Sequence, residues 1–132
     1  GMQDQYYTFS MFDAQAWYAR DAILGRIKLP GESDMRADVE TWQRREEALE
    51  DPIQDIDFQT DYCKDLSEKV DYSLDWDLAA ENFKHWEHHK EESIVGYRNH
   101  SHPSPVTGTQ APIHHTSWWE AMDDSTESFL GS

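Results

Sequence analysis

The spacing of the apolar residues constrains this chain more than any other feature. They recur at steps of three and four, the period of an α-helix and not of a strand. Phe58, Tyr62 and Leu66 repeat every four residues. Phe12, Ala16, Ala19 and Ile23 share one face of a helix running from 10 to about 26, with Trp17 and Leu24 beside it. Met35, Val39, Trp42 and Leu49 make a second stripe, and Leu78, Phe83, Trp86 and Ile94 another. Each stripe needs a partner to bury it. The pattern predicts a mainly α fold with no βαβ unit.

Polar and helix-breaking residues punctuate these stretches. Ser10 reads as an N-cap, with Asp13 in an approximate capping box, and Gly25 as the C-terminal stop. Residues 28–31 (Lys-Leu-Pro-Gly) read as a turn. A second helix is expected after Ser33 or Asp34. Asp51-Pro52 starts a third, Asp51 as cap and Pro52 as first helical residue, running to about 69. Tyr72, Leu74 and Trp76 alternate inward along a short loop, after which Asp75 or Asp77 caps a fourth helix that ends near Gly96. Residues 98–116 hold three prolines, one glycine and four of the seven histidines, so an irregular, extended crossing segment is expected there. Ser117 and Glu120 form a capping box for a short final helix carrying Trp118, Trp119, Met122 and Phe129.

Charge narrows the partners. Acidic residues number 27 against 11 basic, a formal net charge of -16. Such a surface repels nucleic acid and anionic lipid. No apolar run reaches the length of a membrane span, and no signal peptide is evident. Cys63 is the sole cysteine, so no intrachain disulfide forms. It reads as a structural thiol on a helix in a reducing compartment, and the cytoplasm is the default location. Six Trp, six Tyr and five Phe are too many for a disordered acidic tail. Of the tyrosines, Tyr7 reads as exposed.

Several chemistries lack their residues. The closest glycines, Gly25 and Gly31, are six apart, so neither a G-x-G-x-x-G fingerprint nor a Walker loop is present. There is no nucleophile elbow. His85 and His89 share a helical face and could hold one divalent metal, but the H-E-x-x-H order is missing. They read as polar surface. His100, His102, His114 and His115 read as hydrogen-bonded loop histidines. Asp13 reads as a helix-start charge. No catalytic residue and no metal ligand is assigned from these patterns.

One resemblance is specific. The opening GMQDQYYTFSMFDAQAWYARDAILGRIKLP resembles the C-terminal part of the flavin-containing monooxygenases, of the bacterial trimethylamine monooxygenase type. The likeness continues weakly through 34–50. It returns at Phe83-Lys84-His85-Trp86 and at Gly96-Tyr97-Arg98-Asn99-His100-Ser101. Thr107-Gly108-Thr109, Ala111-Pro112, His114-His115-Thr116 and Ala121-Met122-Asp123-Asp124-Ser125 follow in order. The family's FAD and NADPH fingerprints lie upstream of the matched part. The resemblance therefore implies a fragment, with 1–132 as a single partial domain.

In such enzymes FAD, reduced by NADPH, activates oxygen for transfer to a soft nucleophile such as a tertiary amine or a sulfide. The resemblance implies that Gln5 and Thr8 contact FAD, and that Asp4 and Tyr6 face the substrate. Bacterial relatives often have Trp where Tyr6 stands, and Tyr is the weaker cation–π partner. The chain alone is expected to bind no cofactor and to be inactive. Its implied partners are the missing N-terminal nucleotide-binding domains. A homodimer through Trp118 and Trp119 is also expected if that patch is bare. Two other functions stay open beside this one, a stand-alone helical interaction module and a small histidine-rich metal-binding protein. For the isolated chain, residues 6–12 would then pack simply as core.

Overall fold

The computed structural model describes residues 5–110. Four α-helices and one 3-10 turn follow in order: α1 (Thr8–Ile23), α2 (Glu32–Glu47), α3 (Pro52–Ser67), α4 (Trp76–Glu92) and the turn Tyr97–Asn99. No strand is present among the described residues, which are 64% helical. The mainly α expectation holds. The expected final helix, with Ser117, Trp118 and Trp119, lies outside the described residues, as do His114 and His115.

Helix α3 is the hub, packing against α1, α2 and α4. Its start follows from local chemistry: the Asp51 carboxylate accepts from the Gln54 N–H at 2.8 Å, and Pro52 takes the first position, where no N–H is needed. Ile56, Gln59 and Cys63 on α3 are completely buried, together with Met11 of α1. Tyr7, Ala14, Leu66, Trp76 and Ala79 close the core around Met11 and Cys63. Helix α4 starts as the alternation implied. Tyr72 and Leu74 are half-buried, Trp76 is buried, and the Asp75 carboxylate accepts from the Leu78 N–H at 3.0 Å.

Gly25 stops α1 by adopting φ 69°, a conformation that costs a side chain dearly. Its N–H donates to the Ala22 carbonyl and the Arg26 N–H to the Asp21 carbonyl. That pair of bonds satisfies two carbonyls that the helix end leaves open. The Asp21 carboxylate also accepts from Arg20 and Arg26. The Arg20 guanidinium beside it holds the carboxyl below its usual range, against the opposing effect of burial.

Several expectations are corrected. Helix α1 begins at Thr8, two residues before Ser10, and its cap residue Tyr7 makes no side-chain capping bond. Helix α2 begins at Glu32, α3 ends at Ser67, and residues 28–31 form no regular turn. Tyr7 is buried, not exposed. Ile94 lies past the end of α4 and is exposed.

The largest correction concerns which side of α1 is inside. The face that packs carries Tyr7, Met11 and Ala14. Phe12, Ala16, Ala19 and Ile23, the face expected to pack, are all exposed. Helix α2 buries no residue at all. Met35 and Val39 are exposed, and Trp42 of its stripe engages α3, meeting Phe58 and Tyr62 edge-on at 5.4 and 5.6 Å. Arg45 lies over the Trp42 ring and pairs with Asp61.

Residues 98–110 are irregular, as expected, and cross the start of α4. The Asp75 N–H donates to the Pro105 carbonyl at 2.9 Å, and the Asn82 amide to the Pro103 carbonyl at 2.7 Å. Pro103 and Gln110 form an isolated antiparallel bridge, closed by a turn with Gly108 at φ 69°.

Candidate functional site

The segment leading into α1 is tied down by α3 and α4. The Tyr6 N–H donates to Gln59 Oε1 at 3.0 Å, and the Tyr6 hydroxyl donates to Glu87 Oε1 at 3.0 Å. The next residue is held as firmly. Tyr7 Oη lies 2.6 Å from Thr60 Oγ1. Thr60 spends its single hydroxyl proton on the Ile56 carbonyl at 2.6 Å, so Tyr7 is the donor in the first bond. Burial pushes the Tyr7 phenol up to about 12.

Aromatic packing completes the anchor. The Phe83 ring meets Tyr6 at 5.5 Å and Tyr7 at 4.9 Å, both edge-on, and Tyr7 also meets Trp76 at 5.6 Å. Edge-to-face pairs of this kind fix ring orientation and add to area burial. The Trp76 indole N–H reaches Ser67 Oγ at 2.9 Å, so the large ring carries no orphaned donor. Behind this layer burial drives the Cys63 thiol up to about 12, which leaves it a structural, unreactive group as expected.

The four residues singled out from the sequence fall differently. Tyr6 is half-buried and anchored through both its backbone and its hydroxyl. Gln5 is half-buried and Thr8 exposed, and the two flank the anchored tyrosines in sequence. Thr8 Oγ1 reaches back toward the Gln5 carbonyl at 3.5 Å. Asp4 lies outside the described residues. Helix α1 thus starts beside these residues with no side-chain cap and no acid in its first turn. A helix start of this kind suits an electron-rich group.

Two supporting residues escaped the sequence reading. Glu87 is only 6% exposed, and Lys90 balances its charge at 2.7 Å. Gln59 is fully buried and also donates to Asp55 Oδ1 at 3.0 Å. Both stand in register with apolar positions, Glu87 four after Phe83 and Gln59 between Ile56 and Cys63. A polar residue on an inward stripe was the available signal, because such a group needs a buried partner.

The histidines form a separate cluster. His89 and His100 stack with ring centres 3.5 Å apart and planes 3° apart, and His102 lies 6.4 Å from His85 and 6.5 Å from His89. His102 Nε2 is buried with no hydrogen-bond partner among the described residues, against the expectation of a hydrogen-bonded loop histidine at that position. Burial and the three neighbouring imidazoles lower its pKa. Among the described residues no group of three His, Cys, Asp or Glu is placed to hold a metal ion. A cavity of about 430 Å³ lies elsewhere, between α2 and the pair α1 and α3, lined by Tyr18, Trp42, Phe58 and Tyr62.

Comparison with known proteins places this arrangement. No protein-family model matches the chain. Trimethylamine monooxygenase of Pelagibacter ubique strain HTCC1002 is 56% identical over 131 residues, covering 98% of this chain and 30% of that protein. The same-named protein of Methylocella silvestris is 56% identical over 130 residues. The crystal structure of Tmm from Pelagibacter sp. strain HTCC7211 superposes with a TM-score of 0.89 at 54% identity, again over 98% of this chain. Over nearly its whole length the chain is similar, in sequence and in fold, to a part of the trimethylamine monooxygenases. The chain spans about 30% of the length of the relatives it matches. Among the described residues, Tyr6-Tyr7 is tied to both α3 and α4. No described helix is long and apolar enough to cross a membrane.

Proposed function

We propose that this chain supplies one wall of the active site of an FAD- and NADPH-dependent monooxygenase that oxygenates amines or sulfides, and that it is inactive alone. The observation that carries the reading is 56% identity to a trimethylamine monooxygenase over 98% of this chain, combined with a TM-score of 0.89. FAD supplies the redox chemistry of activating oxygen, and the protein's share is positioning and water exclusion.

The residues present fit that share. Thr8 is exposed and Gln5 half-buried on either side of two fixed tyrosines, and their hydroxyl and amide are groups that can meet the polar edge of a flavin. The start of α1, with no side-chain cap, adds donors next to Thr8. Tyr6, with its hydroxyl held by Glu87, offers a ring of fixed orientation to a substrate. A methylated ammonium is drawn to such a ring by cation–π attraction, and Asp4 adds charge attraction. A cytoplasmic setting suits the single, buried cysteine.

Titration of the chain with FAD, with NADPH oxidation followed alongside, tests the reading. No binding and no turnover are expected from the chain alone. Joining it to the amino-terminal part of the Pelagibacter sp. strain HTCC7211 protein is expected to give NADPH- and FAD-dependent oxidation of trimethylamine. Stoichiometric FAD binding by the isolated chain, or a folded but inactive fusion, would overturn it. A stand-alone helical interaction module is the second reading, favoured by the exposed apolar stripes of α1 and α2.

A further inference from the structure

Helix α1 has two apolar faces, and the described chain covers only one. Tyr7, Met11 and Ala14 pack inward, with Met11 and Ala14 at 0% exposure. On the opposite side Phe9 is 86% exposed, Phe12 42%, Ile23 85% and Leu24 57%. Phe9, Phe12, Ala16 and Ile23 follow one another along a single helical stripe. Phe9 and Phe12 also border a shallow groove that runs to Tyr72. A helix apolar on opposite sides is a helix meant to be enclosed.

We infer that the outer stripe of α1, from Phe9 to Leu24, is the seam on which the amino-terminal remainder of the monooxygenase docks. The inference rests on the functional reading above and adds the surface that reading leaves unspecified. Three observations choose this occupant over a second copy of the chain. The helices keep a TM-score of 0.89 to the same helices in a protein of which they are only 30%, so their fold is the one adopted inside a larger body. The stripe begins at Phe9, next to Thr8, on the side proposed to meet FAD, so one partner would cover cofactor wall and stripe without a break. Carboxylates are sparse on α1 in a chain of net charge -16: Asp13 borders the groove beside Phe9 and Phe12, and Asp21, the other acid of the helix, is buried. The acidic exterior, by contrast, works against pairing two copies.

The test compares each substitution in two settings, the isolated chain and the same chain fused behind the amino-terminal part of the Pelagibacter sp. strain HTCC7211 protein. Phe9→Glu and Ile23→Glu alter exposed positions, so the isolated chain is expected to keep its helicity and melting temperature. In the fusion each is expected to lower the melting temperature by about 5 °C or more, because a carboxylate would be forced into an apolar seam. Met35→Glu and Val39→Glu, on the exposed stripe of α2, are expected to be silent in both settings. If Phe9→Glu and Ile23→Glu are as silent in the fusion as the α2 controls, the seam is wrong. An isolated chain that is dimeric by light scattering and made monomeric by Phe9→Glu would assign the stripe to a second copy and also overturn the inference. Trimethylamine oxidation by the unsubstituted fusion reports on the functional reading separately. A fusion that folds without activity defeats that reading and still tests the seam. A fusion that does not fold counts against both.

Discussion

Tyr7 Oη and Thr60 Oγ1 are 2.6 Å apart in the core, across 53 residues of sequence, and the proton between them belongs to Tyr7. This bond, with the one from Tyr6 to Glu87, converts a short N-terminal segment into a fixed wall. The two bonds are separable, because they end on different helices, α3 and α4.

Tyr7→Phe removes one hydroxyl and leaves Thr60 bonded to Ile56. A loss of about 1–2 kcal/mol in unfolding free energy is expected. Tyr7→Ala also removes a ring packed on Phe83 and Trp76, and about 3–5 kcal/mol is expected. Urea denaturation followed by circular dichroism measures both. Equal effects for the two variants would show that the hydroxyl, not the ring, dominates.

Glu87→Ala strands the Tyr6 hydroxyl and the Lys90 ammonium together. Removing one member of a buried, charge-balanced network costs about 3–5 kcal/mol at the upper end. Glu87→Gln keeps an acceptor for Tyr6 and is expected to cost less than half as much. The ordering Ala worse than Gln, read from urea midpoints, is the outcome that supports a structural Glu87.

The Cys63 thiol is fully buried and pushed up to about 12 by burial. At pH 8 it is expected to resist a thiol-reactive reagent in the folded chain and to react promptly in urea. Rapid labelling without denaturant would mean that α3 opens locally. The same shift carries a pH sign. The folded thiol keeps its proton at pH values where the unfolded thiol loses it, so stability falls as pH rises above the ordinary thiol range.

His102 gives the opposite limb. Its folded pKa is lowered by burial and by His85, His89 and His100. Below the ordinary imidazole range the unfolded chain therefore binds a proton that the folded chain excludes, and stability falls as pH falls. His102→Asn is expected to flatten the decline in unfolding free energy between pH 7 and pH 5. An unchanged slope would remove His102 as its source.

Local chemistry made parts of the structure readable. Asp51 and Pro52 start α3 wherever it packs, because cap and proline act within one turn. Gly25 stops α1 for the same reason. Tyr72, Leu74 and Trp76 turn inward on the alternation their spacing gives. The likeness to trimethylamine monooxygenases was legible too, since it rests on residue order. Glu87 and Gln59 were harder to read. Their importance depends on Tyr6, which sits 81 and 53 residues away.

The sequence alone thus determined that the chain is mainly helical, that Asp51-Pro52 begins α3, and which residues share each helical face. Tertiary structure alone decided which face is inside. Periodicity groups Phe12, Ala16 and Ile23 together as surely as it groups Tyr7, Met11 and Ala14, and it ranks neither. Met11 and Ala14 won because α3 offers Cys63 and Leu66 as a surface to pack on, and packing is a property of two elements at once. The histidine cluster arose in the same way, from a crossing segment laid over α4 by the carbonyls of Pro103 and Pro105.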